Sequence, residues 1–282
     1  MKWFCIGLIA LMHTSGAYCS GDGFCVGGRS AALGKASVAS ADVWSGFNNQ
    51  AGVAWSEGFQ TGIFVENRFL MKEICFEGLG ISWSGRPGAF GLSLTYYGFT
   101  LFNEFKAGIS YSRKFGKRFS AGVQINYLRI QIAEGYGSRG VISCEAGIMY
   151  RPDQHWTIGM QVCNPIPIKL TDQPDEILPI RFRFGAGYAL SGKALILLEA
   201  EKDLLNPMML RTGVEIRLAR SVYGRIGMHT GPFAITGGIG LSLGRMGLNI
   251  ATEYHMTLGF SPAISIEYSI MKQREATKKR LK

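Results

Sequence analysis

The sequence predicts an all-β fold, a transmembrane antiparallel β-barrel of about 14 strands with an N-terminal luminal hatch. Three observations lead to this prediction. Side chains alternate in character after residue 57, turn residues recur at strand-length spacing, and each strand has one small or charged face and one aliphatic or aromatic face. The predicted parts are a signal peptide over 1–19, a hatch over 20–56, a barrel over 57–271 and a basic tail over 272–282.

The first residues have the pattern of an export signal. Lys2 precedes a short apolar run from Phe4 to Met12, and Ala17-Tyr18-Cys19 is a candidate cleavage site before Ser20. The alternative is a membrane anchor, but the run is too short for a bilayer core that needs roughly twenty residues. We therefore predict that the chain is exported.

The segment 28–54, which stands before the first strand, is rich in alanine, glycine and serine. It has neither the apolar stripe of a core helix nor the composition of a solvated linker. A small-residue segment without an apolar stripe suits a polar lumen, where it touches charged and small side chains. This is the basis for predicting a hatch.

The remaining chain divides into segments of period two separated by turns. Within 119–127, apolar residues at odd positions alternate with small or polar ones at even positions, and Gly116-Lys117 marks the turn before them. An even strand number returns both chain ends to one side of a membrane barrel. The two longest connections, 133–137 and 164–178, then fall on the opposite, extracellular side. The predicted strands are 59–67, 73–84, 88–98, 101–115, 118–132, 138–151, 155–163, 179–190, 193–203, 208–218, 222–230, 233–243, 247–257 and 261–271.

The composition of the two strand faces favours a membrane barrel over a soluble one. The apolar face is dense in bulky side chains, whereas the other carries full charges, as expected for apolar-out and polar-in strands. A solvated sheet face is the alternative that the pattern leaves open. The predicted luminal charges are Arg181, Arg183, Glu199, Glu201, Arg211, Glu215, Arg217 and Glu253.

Glycine, charge and histidine content narrow the possible functions. The 38 glycines and the charged fraction of 18% suit a surface that faces lipid, since soluble chains average roughly 25% charged residues. Half of the net charge of +10 lies in the tail, and the remaining cations are spread along the strands among acids. The chain therefore has no stripe of cations and stacking aromatics that would indicate a nucleic-acid partner. His229 and His255 fall on the polar face, but no nucleophile and base can be assembled around them. We predict no enzymatic activity, no cofactor and no metal site.

Four cysteines follow the predicted cleavage site. They are widely separated and have no metal-ligand spacing. The sequence leaves open whether two of them pair or all act as small apolar residues: Cys25, Cys75, Cys144 and Cys163.

The hatch segment resembles the N-terminal signature of the PorV/PorQ proteins and the wider FadL-like outer-membrane family. The resemblance is carried by GRSAALGKA from Gly28, by ADVW from Ala41 and by NNQAGVA from Asn48. It implies a hatch inserted into a fourteen-stranded barrel. Gln50 stands where the family has proline, which predicts a looser hatch because a rigid turn is lost. The residues matched to the hatch motif are Gly28, Arg29, Gly34, Ala36, Asp42, Asn49, Ala51 and Gly52.

The resemblance also implies a location and partners. It places the chain in the outer membrane as a multi-pass barrel surrounded by lipid, associated with type IX-like protein secretion and hence with secretion proteins and exported cargo. The alternative is a FadL-like transporter that passes a hydrophobic ligand across the outer membrane.

Overall fold

The computed structural model describes residues 25–133, 137–169, 177–190, 192–204 and 206–270. These residues form a closed barrel of fourteen antiparallel strands, in which the first strand pairs with the last to complete the circle. The barrel strands are β1 (Phe59–Asn67), β2 (Cys75–Gly85), β3 (Gly88–Gly98), β4 (Phe102–Phe115), β5 (Phe119–Ile132), β6 (Gly137–Tyr150), β7 (Trp156–Cys163), β10 (Arg181–Leu190), β11 (Ala194–Asp203), β12 (Met209–Arg217), β13 (Val222–His229), β14 (Ala234–Leu243), β15 (Met246–His255) and β16 (Gly259–Ser269).

The predicted fold class is confirmed, and every predicted strand boundary lies within two residues of the observed one. The connection between β7 and β10 contains one feature that the sequence did not predict, a two-stranded hairpin of β8 (Ile168–Lys169) and β9 (Ile177–Leu178). The predicted signal peptide, residues 20–24 of the predicted hatch, most of this connection's tip and the predicted basic tail lie outside the described residues.

Side-chain alternation divides the barrel wall into an apolar outer face and a polar inner face. On β6, Ile142 is 70% exposed on the outer face, whereas its neighbour Ser143 is buried on the inner face. Large aliphatic side chains are exposed in the same way on strands around the barrel, as on Ile109, Ile226 and Ile264. An exposed apolar surface of this extent is the lipid-facing surface of a membrane barrel.

The wall is not uniform in height. Strands β4, β5 and β6 have 14 residues each, whereas β7 has 8. Strand β6 pairs with β7 only from Glu145 to Tyr150, so the first half of β6 extends beyond the end of β7. The first described residues of the following connection, 164–168, lie at this edge, where the Asn164 backbone N–H donates to the carbonyl of Cys144.

The helical elements are short and most precede the barrel. They are α1 (Gly28–Ala32), α2 (Ser45–Asn48) and a 3-10 helix at Gln50–Trp55, followed by two 3-10 turns, Arg68–Leu70 and Lys72–Ile74, between β1 and β2. Within the described residues, no helix has the length and apolar character needed to cross a membrane.

Candidate functional site: the lumen and its N-terminal segment

Residues 25–56, here called the N-terminal segment, lie inside the barrel. Nearly all of them are buried, and the segment lies against each of the fourteen barrel strands. Each barrel strand has at least one wall residue beside the segment. In chain order from β1 to β16, these residues include, one per strand, Phe64, Phe76, Gly91, Ser112, Ser120, Glu145, Gln161, Arg183, Glu199, Glu215, Gly227, Thr236, Glu253 and Ser265.

Local capping bonds shape the second half of the segment. Asp42 precedes α2, where its carboxylate accepts the backbone N–H of Trp44 at 3.0 Å and its own N–H donates to Ser45 Oγ at 3.0 Å. Asn49 starts the 3-10 helix, since its side-chain oxygen accepts the N–H of Ala51 at 3.2 Å. Asn49 therefore caps a helix, whereas Asp42 forms an i to i+2 turn just before α2, whose N-cap residue Trp44 it holds.

The small residues of the motif lie where the segment runs close to other backbone. Gly34 has φ +64°, its N–H donates to Thr236 Oγ1 at 2.8 Å, and a Cβ there would lie 2.5 Å from the carbonyl oxygen of Met228. A Cβ on Gly28 or Gly52 would likewise lie within 2.9 Å of a serine oxygen. Ala36 and Ala51 are fully buried. Larger residues at Gly28 and Gly34 would push the segment off the wall, whereas a larger residue at Gly52 would clash within the segment.

Arg29 joins the segment to β12. Its guanidinium donates to both carboxylate oxygens of Glu215 at 2.8 and 2.9 Å, and Asp42 lies 3.7 Å from it. Arg225 on β13 also donates to Glu215 at 2.7 Å, so two cations share one carboxylate. Burial by itself would lower the pKa of Arg29, but the carboxylates of Glu215 and Asp42 outweigh it and raise the pKa.

A second attachment centres on Glu199 of β11. One carboxylate oxygen accepts the backbone N–H groups of Ser37 and Val38 at 2.7 and 2.8 Å. The other oxygen accepts Arg183 at 2.6 Å and Arg211 at 3.0 Å. Arg183 continues the network, because it also donates to the carbonyl of Asn48 at 2.9 Å and to Ser37 Oγ at 2.8 Å.

A third attachment centres on Glu145 of β6. Its carboxylate accepts Gln50 Nε2 at 2.6 Å, Lys106 Nζ at 2.7 Å and Asn126 Nδ2 at 3.0 Å. Gln50 is fully buried, and its backbone carbonyl accepts the hydroxyl of Ser112. Gln50, at the position where the PorV/PorQ signature has proline, therefore adds bonds to the wall, which argues against the looser hatch expected from the loss of a rigid turn.

The other predicted luminal charges lie on the inner face as well. Arg181 and Glu201 are buried there, and Glu201 forms an ion pair with Arg211, whose Nη2 lies 2.8 Å from a carboxylate oxygen. Glu253 binds Lys35 of the segment at 2.5 Å and lies 3.4 Å from His229. Arg217 has the same parity on β12 but lies at the barrel end, where it donates to the carbonyl of Arg220.

The two histidines of the polar face do not form a pair. His229 is buried beside Glu253, whereas the ring of His255 lies at a turn and accepts the backbone N–H groups of Thr257 and Leu258.

One side of the segment is apolar. Trp44 is fully buried and packs against Phe64 and Phe47, with ring centroids 6.0 and 6.1 Å apart. Its indole N–H donates to Glu267 Oε1 at 2.7 Å. At the barrel end where the segment leaves the lumen, the ring of Trp55 lies between the cations of Lys114 and Arg151, at 4.5 and 4.1 Å.

Several of these residues were not among the predicted site residues. Glu145 and Arg225 belong to the polar face that the alternation defines, so they were identifiable as inward-facing but not as attachment points. Gln50 and Trp44 lie within the signature stretch, and nothing in their spacing indicates their partners.

An apolar cavity of about 310 Å³ lies at the outer face of the wall, near the open edge of β6. It is bounded by Ile125 of β5, by Ile142, Ser143 and Cys144 of β6, and by Asn164, Ile166 and Ile168 of the following connection. The wall residues Ile125, Ile142 and Cys144 point towards lipid, so the cavity is reached from the membrane side.

The described residues include no cluster of His, Cys, Asp or Glu that could hold a metal ion. No disulfide joins Cys25, Cys75, Cys144 and Cys163, which are all free thiols. Cys25 lies in the segment, where its thiol contacts Ser37 Oγ at 3.2 Å and Asn48 Oδ1 at 3.4 Å.

Neither a protein-family profile nor a curated protein matches the sequence. Solved structures do match the fold. The toluene transporter TodX of P. putida aligns with a TM-score of 0.68 at 10% identity, over 86% of this chain and 98% of TodX. The CymD monoaromatic hydrocarbon channel gives 0.65 at 10% identity, over 82% and 93%. A Pseudomonas aeruginosa FadL homologue gives 0.65 at 11% identity, over 85% and 97%.

Identities this low establish the fold and not the activity. The chain has a FadL-like barrel fold, and the structures it resembles are outer-membrane channels. Together with the lipid-facing surface, this agrees with the predicted location, a multi-pass β-barrel of the outer membrane.

Proposed function

We propose that this protein is an outer-membrane channel for small hydrophobic compounds, with the N-terminal segment as the hatch that closes its lumen. Of the two functions considered from the sequence, this is the one that the FadL-like fold supports better. TodX and CymD are described as channels for toluene and monoaromatic hydrocarbons, and we extend that class of substrate to this chain.

The observation that carries the proposal is the apolar cavity beside β6. Its volume is within the range of small-ligand sites, roughly 300–1,000 Å³. Ile142 and Ile166 offer apolar contacts, and no charged residue lines it. A compound dissolved in the membrane can reach it without crossing the charged lumen.

The hatch role rests on the contacts of the segment with all fourteen strands. A segment that is tied to separate parts of the wall through Arg29, Ser37 and Gln50 would obstruct water and ions in the lumen. Deleting residues 28–54 should therefore raise single-channel conductance in planar bilayers. Unchanged conductance would mean that the segment is not a plug.

Uptake of labelled toluene by intact cells tests the substrate. Cells that produce the protein should take up toluene faster than cells without it. Cys144→Trp should slow this uptake by filling the cavity, whereas Ile148→Trp, on the same face of β6 but away from the cavity, should not. Equal uptake with and without the protein would contradict the proposed function.

A second candidate is the secretion-associated role implied by the PorV/PorQ resemblance. It is favoured by the density of buried charge bonds around Glu199 and Glu145, since a plug held so firmly suits a barrel that serves as a scaffold for envelope proteins and exported cargo. Stable cross-linking to secretion proteins, without toluene uptake, would support this role over transport.

A further inference from the structure

The two ends of the barrel differ in charge. The six connections at the end where the segment leaves the lumen are short: 86–87, 116–118, 151–155, 191–193, 218–221 and 244–245. Short turns of a membrane barrel face the periplasm. Each of these six turns holds at least one Arg or Lys.

Counting all residues of these turns gives seven cations and one acid, 7 − 1 = +6. The seven opposite connections, 68–74, 99–101, 133–136, 164–180, 204–208, 230–233 and 256–258, hold three cations and five acids, 3 − 5 = −2. The cations therefore concentrate at one rim, although the opposite connections are longer in total.

Six of the turn cations are exposed: Arg86, Lys117, Arg118, Lys193, Arg220 and Arg245. We call these six residues the basic collar. The seventh, Arg151, packs over Trp55 instead. The single acid, Asp153, accepts the backbone N–H groups of His155 and Trp156 at 2.7 and 2.8 Å, so its carboxylate is held within its own turn.

Aromatic side chains place the collar at the membrane surface. Trp83 and Phe90 flank the first turn, Phe115 and Phe119 the second, and Tyr150 and Trp156 the third. Five of these six, Trp83, Phe90, Phe115, Tyr150 and Trp156, are more than two-fifths exposed on the outer face. Aromatic residues mark the boundary between the apolar core and the headgroups.

From these observations we propose that the basic collar binds the anionic phospholipid headgroups of the periplasmic leaflet, such as phosphatidylglycerol. The cations are spread over all six turns, and a lipid leaflet surrounds the barrel on every side. A protein partner docked at one side would leave the cations of the far turns unused. The inference does not depend on what passes through the lumen.

The test measures the lipid that stays with the barrel. The full-length protein is reconstituted in vesicles of equal phosphatidylcholine and phosphatidylglycerol, extracted gently, and its retained lipids are quantified by mass spectrometry. The collar variant carries R86Q, K117Q, R118Q, K193Q, R220Q and R245Q. The control variant carries K72Q, R129Q, R139Q and K202Q, which remove exposed cations towards the opposite rim. Heat-modifiable migration on a gel verifies that each variant is folded.

The wild-type protein and the control variant should retain phosphatidylglycerol over phosphatidylcholine by at least roughly fivefold, the preference expected from a single cation near an anionic surface. The collar variant should lose most of this preference, and high salt should weaken it in the wild type. Equal lipid ratios in the wild type and the collar variant would overturn the proposal. So would an acidic periplasmic protein that binds the collar when no lipid preference is present.

Discussion

At the residue scale, the carboxylate of Glu199 bonds to both the barrel wall and the N-terminal segment. Two backbone N–H groups of the segment and two wall arginines converge on it, and it is 4% exposed. Charge-assisted hydrogen bonds to a buried carboxylate are among the stronger ones in proteins. Removing one partner of such a pair leaves the other charge buried without compensation.

Glu199→Gln should therefore lower the free energy of unfolding by about 3 kcal/mol, because Arg183 and Arg211 lose their shared counter-charge. Urea unfolding in lipid vesicles, followed by tryptophan fluorescence, measures the change. Glu73→Gln, at an exposed position between β1 and β2, is the matched control and should change the value by less than about 0.5 kcal/mol. Equal effects of the two substitutions on the free energy of unfolding would show that the bonds of Glu199 do not stabilise the barrel.

Gly34 permits a second test with a matched control. Gly34→Ala and Gly116→Ala both place an alanine at positive φ, +64° and +75°, so both carry a similar backbone cost of about 1–2 kcal/mol. At Gly34 the new Cβ also meets the wall, whereas nothing lies within 4 Å at Gly116. Limited proteolysis should cut the segment faster in Gly34→Ala alone. Equal cleavage in both variants would show that wall contact at Gly34 is dispensable.

At the element scale, the N-terminal segment has little regular structure of its own. Its helices have 5, 4 and 6 residues, too short to be stable alone. Its conformation depends on caps within the segment, such as Asn49, and on bonds to the wall residues Glu215, Glu199 and Glu145.

Cys25 reports whether the segment is in place. Burial raises the pKa of its thiol, so at pH 8 little of the reactive thiolate is present in the intact protein. In a background with Cys75→Ser, Cys144→Ser and Cys163→Ser, alkylation of Cys25 by iodoacetamide should be slow at pH 8. The rate should rise only as the pH increases towards the raised pKa.

Urea-unfolded protein is the reference for this measurement, since its thiol regains an ordinary pKa and reacts fast. Adding Gly34→Ala to the same background should bring the rate closer to that reference, because the segment then leaves the wall more often. Rapid alkylation of the intact protein at pH 8 would contradict the buried position of Cys25.

At the scale of the whole molecule, the usual distribution of apolar and polar residues is reversed. Buried positions of the wall carry Ser, Asn, Glu and Arg, whereas exposed positions carry Ile, Leu and Phe. The barrel closes around charges that pair with one another, and its apolar surface is stable only in lipid.

Ile109→Arg should test this arrangement. Ile109 is 69% exposed, and in a soluble protein such a substitution would cost little. On a lipid-facing strand it should destabilise the barrel by about 2–4 kcal/mol. Ser138→Arg, at the exposed end of β6, is the control and should be nearly neutral in urea unfolding in lipid vesicles. If Ile109→Arg leaves the free energy of unfolding unchanged, this surface faces water and not lipid.

The strands and their two faces could be predicted closely because they depend on local patterns. The alternation in β5 and the turn at Gly116 define one strand and its orientation without reference to any other part of the chain. The β8–β9 hairpin was missed because prolines at 165 and 167 obscure so short a pairing, and only the edge of β6 gives it a place.

The candidate site was predictable only in part. The parity rule placed Arg183, Glu199 and Glu253 on the inner face, and the structure puts them there. The alternation of side chains along each strand did not predict which residues these side chains contact. Gln50 meets Glu145 across 95 residues of sequence and Arg29 meets Glu215 across 186, distances over which no local pattern carries information.

The sequence by itself therefore determined the strand number, the inward and outward faces and the charge of every turn, since each depends on a residue and its near neighbours. Only the tertiary structure decided which luminal charges hold the N-terminal segment, that Gln50 ties it to the wall, and that the turn cations form one ring. These features depend on closure of the barrel, because closure brings residues together that the chain itself keeps far apart.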